Sequence, residues 1–212
     1  MNRVLKFNTT ERNVWFTSDF HFNHAKEFIW QKRGYGSIDE HNKHIIETLN
    51  FNVKADDDLF FLGDFCLNCS QEEFEMFLEQ IVCKNIWTLF GNHNSRILTV
   101  YQQQLKALYG FDDLEVYPLR YKNLVFLGNY AEITVDGQFV VLSHYPLFSW
   151  NHLNKGSMML HGHEHCAIDN HLPEGSNGKI LDVGWDYYKK PLAFSEIQEI
   201  MKTKFVVNVG HH

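Results

Sequence analysis

The chain has 212 residues, 44% of them hydrophobic and 21% charged, a balance that excludes a disordered polymer and suits one domain with a sizeable core. Its formal net charge of −7 speaks against strong nucleic-acid binding, because an acidic surface repels polyanions. No apolar stretch approaches the roughly 20 residues of a membrane helix, and residues 1–13 carry no secretory h-region. Four cysteines without disulfide-like spacing point to a reducing, cytoplasmic setting. Residues 1–210 read as a single domain, and His211 and His212 as a purification-tag remnant.

The first predicted strand is Val14-Trp15-Phe16, which leads into Thr17-Ser18-Asp19-Phe20-His21. Ser37-Ile38-Asp39-Glu40 then has the pattern of a capping box, ahead of a helix carrying Ile45, Ile46 and Leu49. Asp56-Asp57-Asp58 reads as a solvated turn before a second apolar run, Leu59 to Leu62, which ends in Gly63-Asp64. A second capping box, Ser70-Gln71-Glu72-Glu73, opens a helix with Phe74, Phe77, Leu78 and Ile81 on one face. Ile86 to Phe90 is the third run and leads to Gly91-Asn92-His93. From about residue 114 to 145 the pattern turns to strands, with Asp136-Gly137 as a hairpin signal. Phe139 to Leu142 ends at Ser143-His144, and Met158 to Leu160 at His161-Gly162-His163-Glu164-His165; Ile180-Leu181 is the last run. Continuous rather than alternating apolarity is what a strand covered on both faces requires. The order βαβαβα followed by mostly β is that of an α/β sandwich.

Metal-capable residues follow nearly every run. In open α/β sheets the carboxyl ends of the strands face a common crevice where ligands collect, so these clusters can converge. Two carboxylates, an amide oxygen and four or five imidazoles exceed what one tetrahedral zinc can use. They suit two divalent ions sharing a carboxylate, with an activated hydroxide between them and a phosphate clamped by both. Gly63 and Gly91 would let the backbone approach the ions closely. Singly, each cluster has a plainer reading: Asp19-x-His21 a turn, Asn92-His93 a helix cap, His144 a core histidine. The ordered set, each member closing its own strand, favours the metal pair.

That set, Asp19-x-His21, Gly63-Asp64, Gly91-Asn92-His93, His144 and Gly162-His163-x-His165, resembles the calcineurin-like metallophosphoesterase superfamily. Ser18 to His24, Leu62 to Phe65, Ser143 to Pro146, Leu160 to His163 and Asp182 to Asp186 are similar to a compact bacterial and phage branch of predicted phosphoesterases. The resemblance implies a two-sheet βαββ sandwich flanked by helices. It implies that Asp19, His21 and His165 hold one ion, that Asn92, His144 and His163 hold the other, and that Asp64 bridges them. His93 would be the general acid. Position 67, where many relatives carry an Asp that orients this histidine, is Leu67. Mn is the foremost metal, with Fe, Ni, Zn or Co also acceptable to such donors. The implied activity is hydrolysis of a small phosphodiester or nucleotide. The alternatives are a nuclease of the same superfamily and a non-catalytic metal-binding module.

Other residues keep two readings at this level. His24 reads as a substrate contact or a helix start, and Arg96 as a phosphate fork or an exposed helical arginine. Cys66-x-x-Cys69 reads as unpaired thiols or a zinc or redox pair. His161, Asp182 and Asp186 read as supports for the ligands.

Overall fold

The computed structural model describes residues 4–206 except 25, 94, 114 and 166–177; Cys166, His211 and His212 lie outside the described residues. In chain order the elements are β1 (Leu5–Phe7), β2 (Val14–Thr17), α1 (Glu27–Trp30), α2 (Ile38–Asn52), β3 (Asp58–Phe61), α3 (Gln71–Gln80), β4 (Asn85–Thr88) and α4 (Ser95–Tyr109). There follow β5 (Leu119–Tyr121), β6 (Leu124–Phe126), β7 (Tyr130–Val135), β8 (Gln138–Ser143), β9 (Met158–His161), β10 (Ile180–Asp182), α5 (Trp185–Tyr188), β11 (Leu192–Ala193) and α6 (Phe194–Lys202).

The strands form two mixed sheets, one ordered β1-β7-β8-β9-β10 and the other β11-β2-β3-β4-β6-β5. Within the second, β2, β3, β4 and β6 run parallel in that order. Each apolar run is continuous because its strand is covered twice. In β3 and just beyond, Phe60 and Leu62 face the other sheet and pack with Val140, Leu142 and Leu160. Leu59 and Phe61 point the opposite way, into a layer with Leu49 of α2, Phe74 of α3 and Val100 of α4. The outer face of the first sheet, at Val141, Met159 and Ile180, is covered by Trp150 and Leu153. The result is an α/β sandwich: two sheets share one core, and helices cover the outer face of the second.

Local signals act as the sequence predicts. Asp136 and Gly137 both have positive φ, at 50° and 79°, and Val135 pairs with Gln138, so they form a two-residue turn between β7 and β8. Ser70 and Glu73 form a reciprocal capping box at α3. Ser37 caps α2, but Glu40 turns its carboxylate to the Gly36 N–H instead of closing a box. The expectation for Asp56 to Asp58 needs correcting. Asp56 is exposed, yet Asp57 and Asp58 are buried. Asp57 accepts from the Trp15 indole at 3.0 Å and Asn13 Nδ2 at 3.1 Å, and Asp58 accepts from the Trp87 indole at 2.8 Å. Indole donors from neighbouring strands offset the cost of burying these carboxylates. Strand β1, whose Leu5 to Phe7 pair with Ile133 to Val135 of β7, had no clear signal in a segment so short.

No helix among the described residues is long and apolar enough to cross a membrane. Ser70→Ala removes the acceptor for the Glu73 N–H, a bond of 3.1 Å. It should lower unfolding free energy by about 1 kcal/mol, as measured by urea denaturation.

Candidate metal centre

The loops after β2, β3, β4, β8 and β9 meet at one place, between the ends of the two sheets. Asp19 and His21 follow β2, Asp64 follows β3, Asn92 and His93 follow β4, His144 follows β8, and His163 and His165 follow β9. Atoms of Asp19, His21 and His165 lie mutually within 4.8 Å, as do atoms of Asp19, Asp64 and His144. Asp64 Oδ2 lies 3.8 Å from His21 Nε2 and 3.6 Å from His144 Nε2. Asn92 Oδ1 lies 2.8 Å from both His144 Nε2 and His163 Nδ1. All seven expected ligands are therefore brought together. Asp19 reaches both groups, whereas the sequence reading gave it to one.

The backbone at these residues is unusual. Asp19, His21, Asp64, His163 and His165 have φ between 52° and 70°, in the left-handed region that L-residues other than glycine rarely adopt. Sharp left-handed turns aim successive side chains inward from the strand ends. Two glycines make the approach possible. A Cβ on Gly91 would overlap the Asp64 carboxylate, and one on Gly162 would overlap Ser18 Oγ and the Asp19 carboxylate.

Hydrogen bonds prepare the imidazoles. His144 Nδ1 donates to the Leu62 carbonyl at 2.8 Å, so Nε2 is left bare toward Asp64 and Asn92. His165 Nδ1 donates to Asp186 Oδ2 at 2.6 Å, which likewise frees its Nε2. Such outer contacts fix ring orientation and tautomer in metal-binding histidines. By contrast, Asp19 Oδ1 and both ring nitrogens of His21 are buried without a hydrogen-bond partner among the described residues. Burial pushes the Asp19 carboxyl up to about 7, with Asp182 and Asp64 adding to the rise against an opposing pull from His165. Burial also drives His21 well below its ordinary value, reinforced by the Arg33 charge, and lowers His144. Asp19, which resists ionising, beside His21 and His144, which resist protonation, leaves this part of the donor set short of positive charge, while His165, held by Asp186, shifts upward against its burial. Divalent cations fit it: Asp19 Oδ1 and the His21 nitrogens have no partner among the described residues, and the donor atoms within each group lie within 4.8 Å of one another.

His93 and His24 also lie here. The His93 N–H donates to Asp64 Oδ1 at 2.8 Å, and its ring centroid is 5.5 Å from that of His21. His24 is buried, 5.6 Å from His21 and 6.2 Å from His93, ring to ring. Its Nδ1 accepts from the Lys26 N–H, and α1 begins only at Glu27, so it stands at the site and does not cap that helix. Leu67 spends its N–H on the Phe22 carbonyl. Arg96 lies in the first turn of α4, half-buried: its Nε donates to the Cys69 carbonyl at 2.9 Å and its Nη1 reaches Gln71, partners outside the candidate ligands. Cys66, Cys69 and Cys83 are free thiols buried in the helix-side core. His161 is buried with Nδ1 on the Gly162 carbonyl, and Asp182 accepts the Gly184 N–H, so both support the loops.

No known family profile matches the chain. An uncharacterized protein of Methanocaldococcus jannaschii is 26% identical over 163 residues, spanning 77% of this chain and 73% of that protein. The gene 66 protein of Mycobacterium phage D29 is 25% identical over 204 residues, spanning 89% of this chain and 96% of its own. Among solved structures, a protein of unknown function from Aquifex aeolicus superposes with a TM-score of 0.60 at 20% identity, covering 89% of this chain and 99% of the other. The fold is shared.

Sequence reasoning missed two buried residues behind the ligands, Arg33 and His41. Arg33 follows Lys32 and precedes Gly34, and reads as a surface charge. No local pattern marks it. His41 Nε2 accepts from Arg33 Nη1 at 2.8 Å, which requires a neutral ring. Burial, then the Arg33 charge, push its value down to about 4. Because the folded-state value lies below the ordinary 6.5, the unfolded chain binds the extra proton between them. Stability should therefore fall as pH drops from about 6.5 to about 4, at up to about 1.4 kcal/mol per pH unit from this group. In His41→Gln, denaturation of the metal-free protein at a series of pH values should show a shallower slope in that window.

Proposed function

We propose that the protein is a metal-dependent phosphoesterase of the calcineurin-like kind, hydrolysing a small phosphodiester or nucleotide. The observation that carries this reading is the place of Asp64, whose one carboxylate oxygen lies between His21 and His144, at 3.8 and 3.6 Å. A carboxylate between two donor sets is what a shared ligand of two ions requires. The partnerless buried atoms of Asp19 and His21 support the same reading, since burying polar groups unpaired costs about 1–3 kcal/mol each.

On this reading Asp19, His21 and His165 hold one ion, Asn92, His144 and His163 the other, and Asp64 both. Two divalent ions, when bound, supply Lewis acidity toward phosphoryl oxygens and an activated water. The chain's own groups do the rest. Asp64 also fixes the His93 backbone through its other oxygen. His93 stands beside the ligands, with its imidazole as the proton donor for the leaving oxygen. His24 occupies the flank of His93. No carboxylate is available from position 67, where Leu67 stands. The formal charge of −7 favours small esters over long nucleic acid. Three buried free thiols support a cytoplasmic setting.

Asp64→Asn should lower metal content and activity together, because it removes charge from the shared ligand. His93→Ala should keep both ions and lose roughly 10²–10⁴-fold in turnover on an alkyl or ribose ester. On a nitrophenyl ester the loss should be much smaller, since nitrophenolate leaves without a proton. Elemental analysis and paired turnover assays check both variants. Loss of metal in His93→Ala, or equal slowing on both esters, would show that His93 is not the acid.

A further inference from the structure

Arg33 lies just after α1, is 3% exposed, and all five of its N–H donors are used. Nε donates to Asp186 Oδ1 at 3.1 Å and Nη2 to Asp186 Oδ2 at 2.7 Å, a two-pronged ion pair. Nη2 also donates to the Asp19 carbonyl at 2.7 Å, and Nη1 to the Phe20 carbonyl at 2.9 Å and to His41 Nε2 at 2.8 Å. Asp186 Oδ2 in turn accepts from His165 Nδ1 at 2.6 Å. One guanidinium therefore ties together the sources of three candidate ligands. It holds the Asp19-Phe20-His21 turn by its carbonyls, and His165 through Asp186.

The bond pattern is selective. Asp19, His21 and His165 all have left-handed backbones, with φ of 60°, 53° and 52°, conformations that persist only when neighbours hold them. The other donor set is held differently: His144 hangs from the Leu62 carbonyl, while Asn92 and His163 contact each other. None of the hydrogen bonds of Arg33 reaches those three residues. The fork extends into the fold on its far side. His41 donates to Asn42, Asn42 to Asn23, and Asn23 to Glu73, the capping residue of α3.

We propose that Arg33 and Asp186 are positioning residues that set the affinity of one ion of the pair, the one held by Asp19, His21 and His165, and leave the other unaffected. The inference rests on the dinuclear reading and goes beyond it by making the two sites separable. A fork is required: an ammonium at position 33 is a point charge on a flexible stem and cannot span a carboxylate and two carbonyls together.

The test is calorimetric titration of the metal-stripped full chain with Mn²⁺ alone, alongside electron paramagnetic resonance of the bound ions. Wild type should take up two Mn²⁺ and show a spin-coupled pair. Asp186→Asn, nearly isosteric, and Arg33→Lys should each weaken one ion by about 10–100-fold and leave the other at its wild-type affinity. At intermediate Mn²⁺ the variants should show an isolated-ion signal where wild type shows the coupled one. His41→Gln, which spares the Arg33–Asp186 fork, should weaken the same ion by a few-fold at most. Equal weakening of both ions, as general loosening of the fold would give, overturns the proposal, and so does unchanged affinity in Asp186→Asn. Wild type taking up no Mn²⁺ overturns the dinuclear reading, and the inference with it.

Discussion

Two carboxylates buried in one crevice, Asp19 at 0% and Asp64 at 2% exposure, impose the constraint on which the rest of the structure depends. Carboxylates cannot be taken out of water together unless positive charge or strong donors meet them. The donors present meet them only partly. Backbone N–H groups of His93 and His163 reach the inner oxygens, at 2.8 and 3.1 Å, while Asp19 Oδ1 has no hydrogen-bond partner among the described residues. His21 and His144 beside them are themselves buried and resist protonation. This balance is unfavourable for a bare protein and favourable for one that recruits cations, which ties the stability of the loops to the proposed function.

Bringing those groups close has a conformational cost. Five of the seven candidate ligands sit in left-handed backbone, each costing on the order of 1–2 kcal/mol relative to ordinary conformations. Such strain survives where the surroundings over-determine it. Here they do so through an aromatic layer directly behind the loops. Phe20 packs against Phe22, Phe61 and Trp185, and Phe22 stacks on Phe77 of α3 at 4.4 Å. The residues between the ligands thus anchor the turns that the ligands strain. The Arg33 guanidinium completes the restraint by satisfying carbonyls that left-handed turns leave pointing inward.

The acid side of the proposed chemistry has a different organisation. His93 is positioned by its backbone, through the Asp64 carboxylate, and by packing against His21 and His24.

Much of the centre is legible from sequence alone because its parts are local. An apolar run followed by Gly63-Asp64 or Gly91-Asn92-His93 states both the strand and the turn that ends it. The capping residues Ser37 and Ser70 and the Asp136-Gly137 hairpin work within a few residues of themselves. What tertiary structure alone decided is the choice of partner across long separations. Arg33 meets Asp186 153 residues away, Asp57 meets the Trp15 indole 42 residues away, and Arg96 turns to Cys69 27 residues away. A charged side chain in a polar stretch reads the same whether it ends in water or in a buried fork. Only the packing of α1, α2 and α5 around the strand ends determines which, because desolvation and donor geometry exist only once the neighbours are in place.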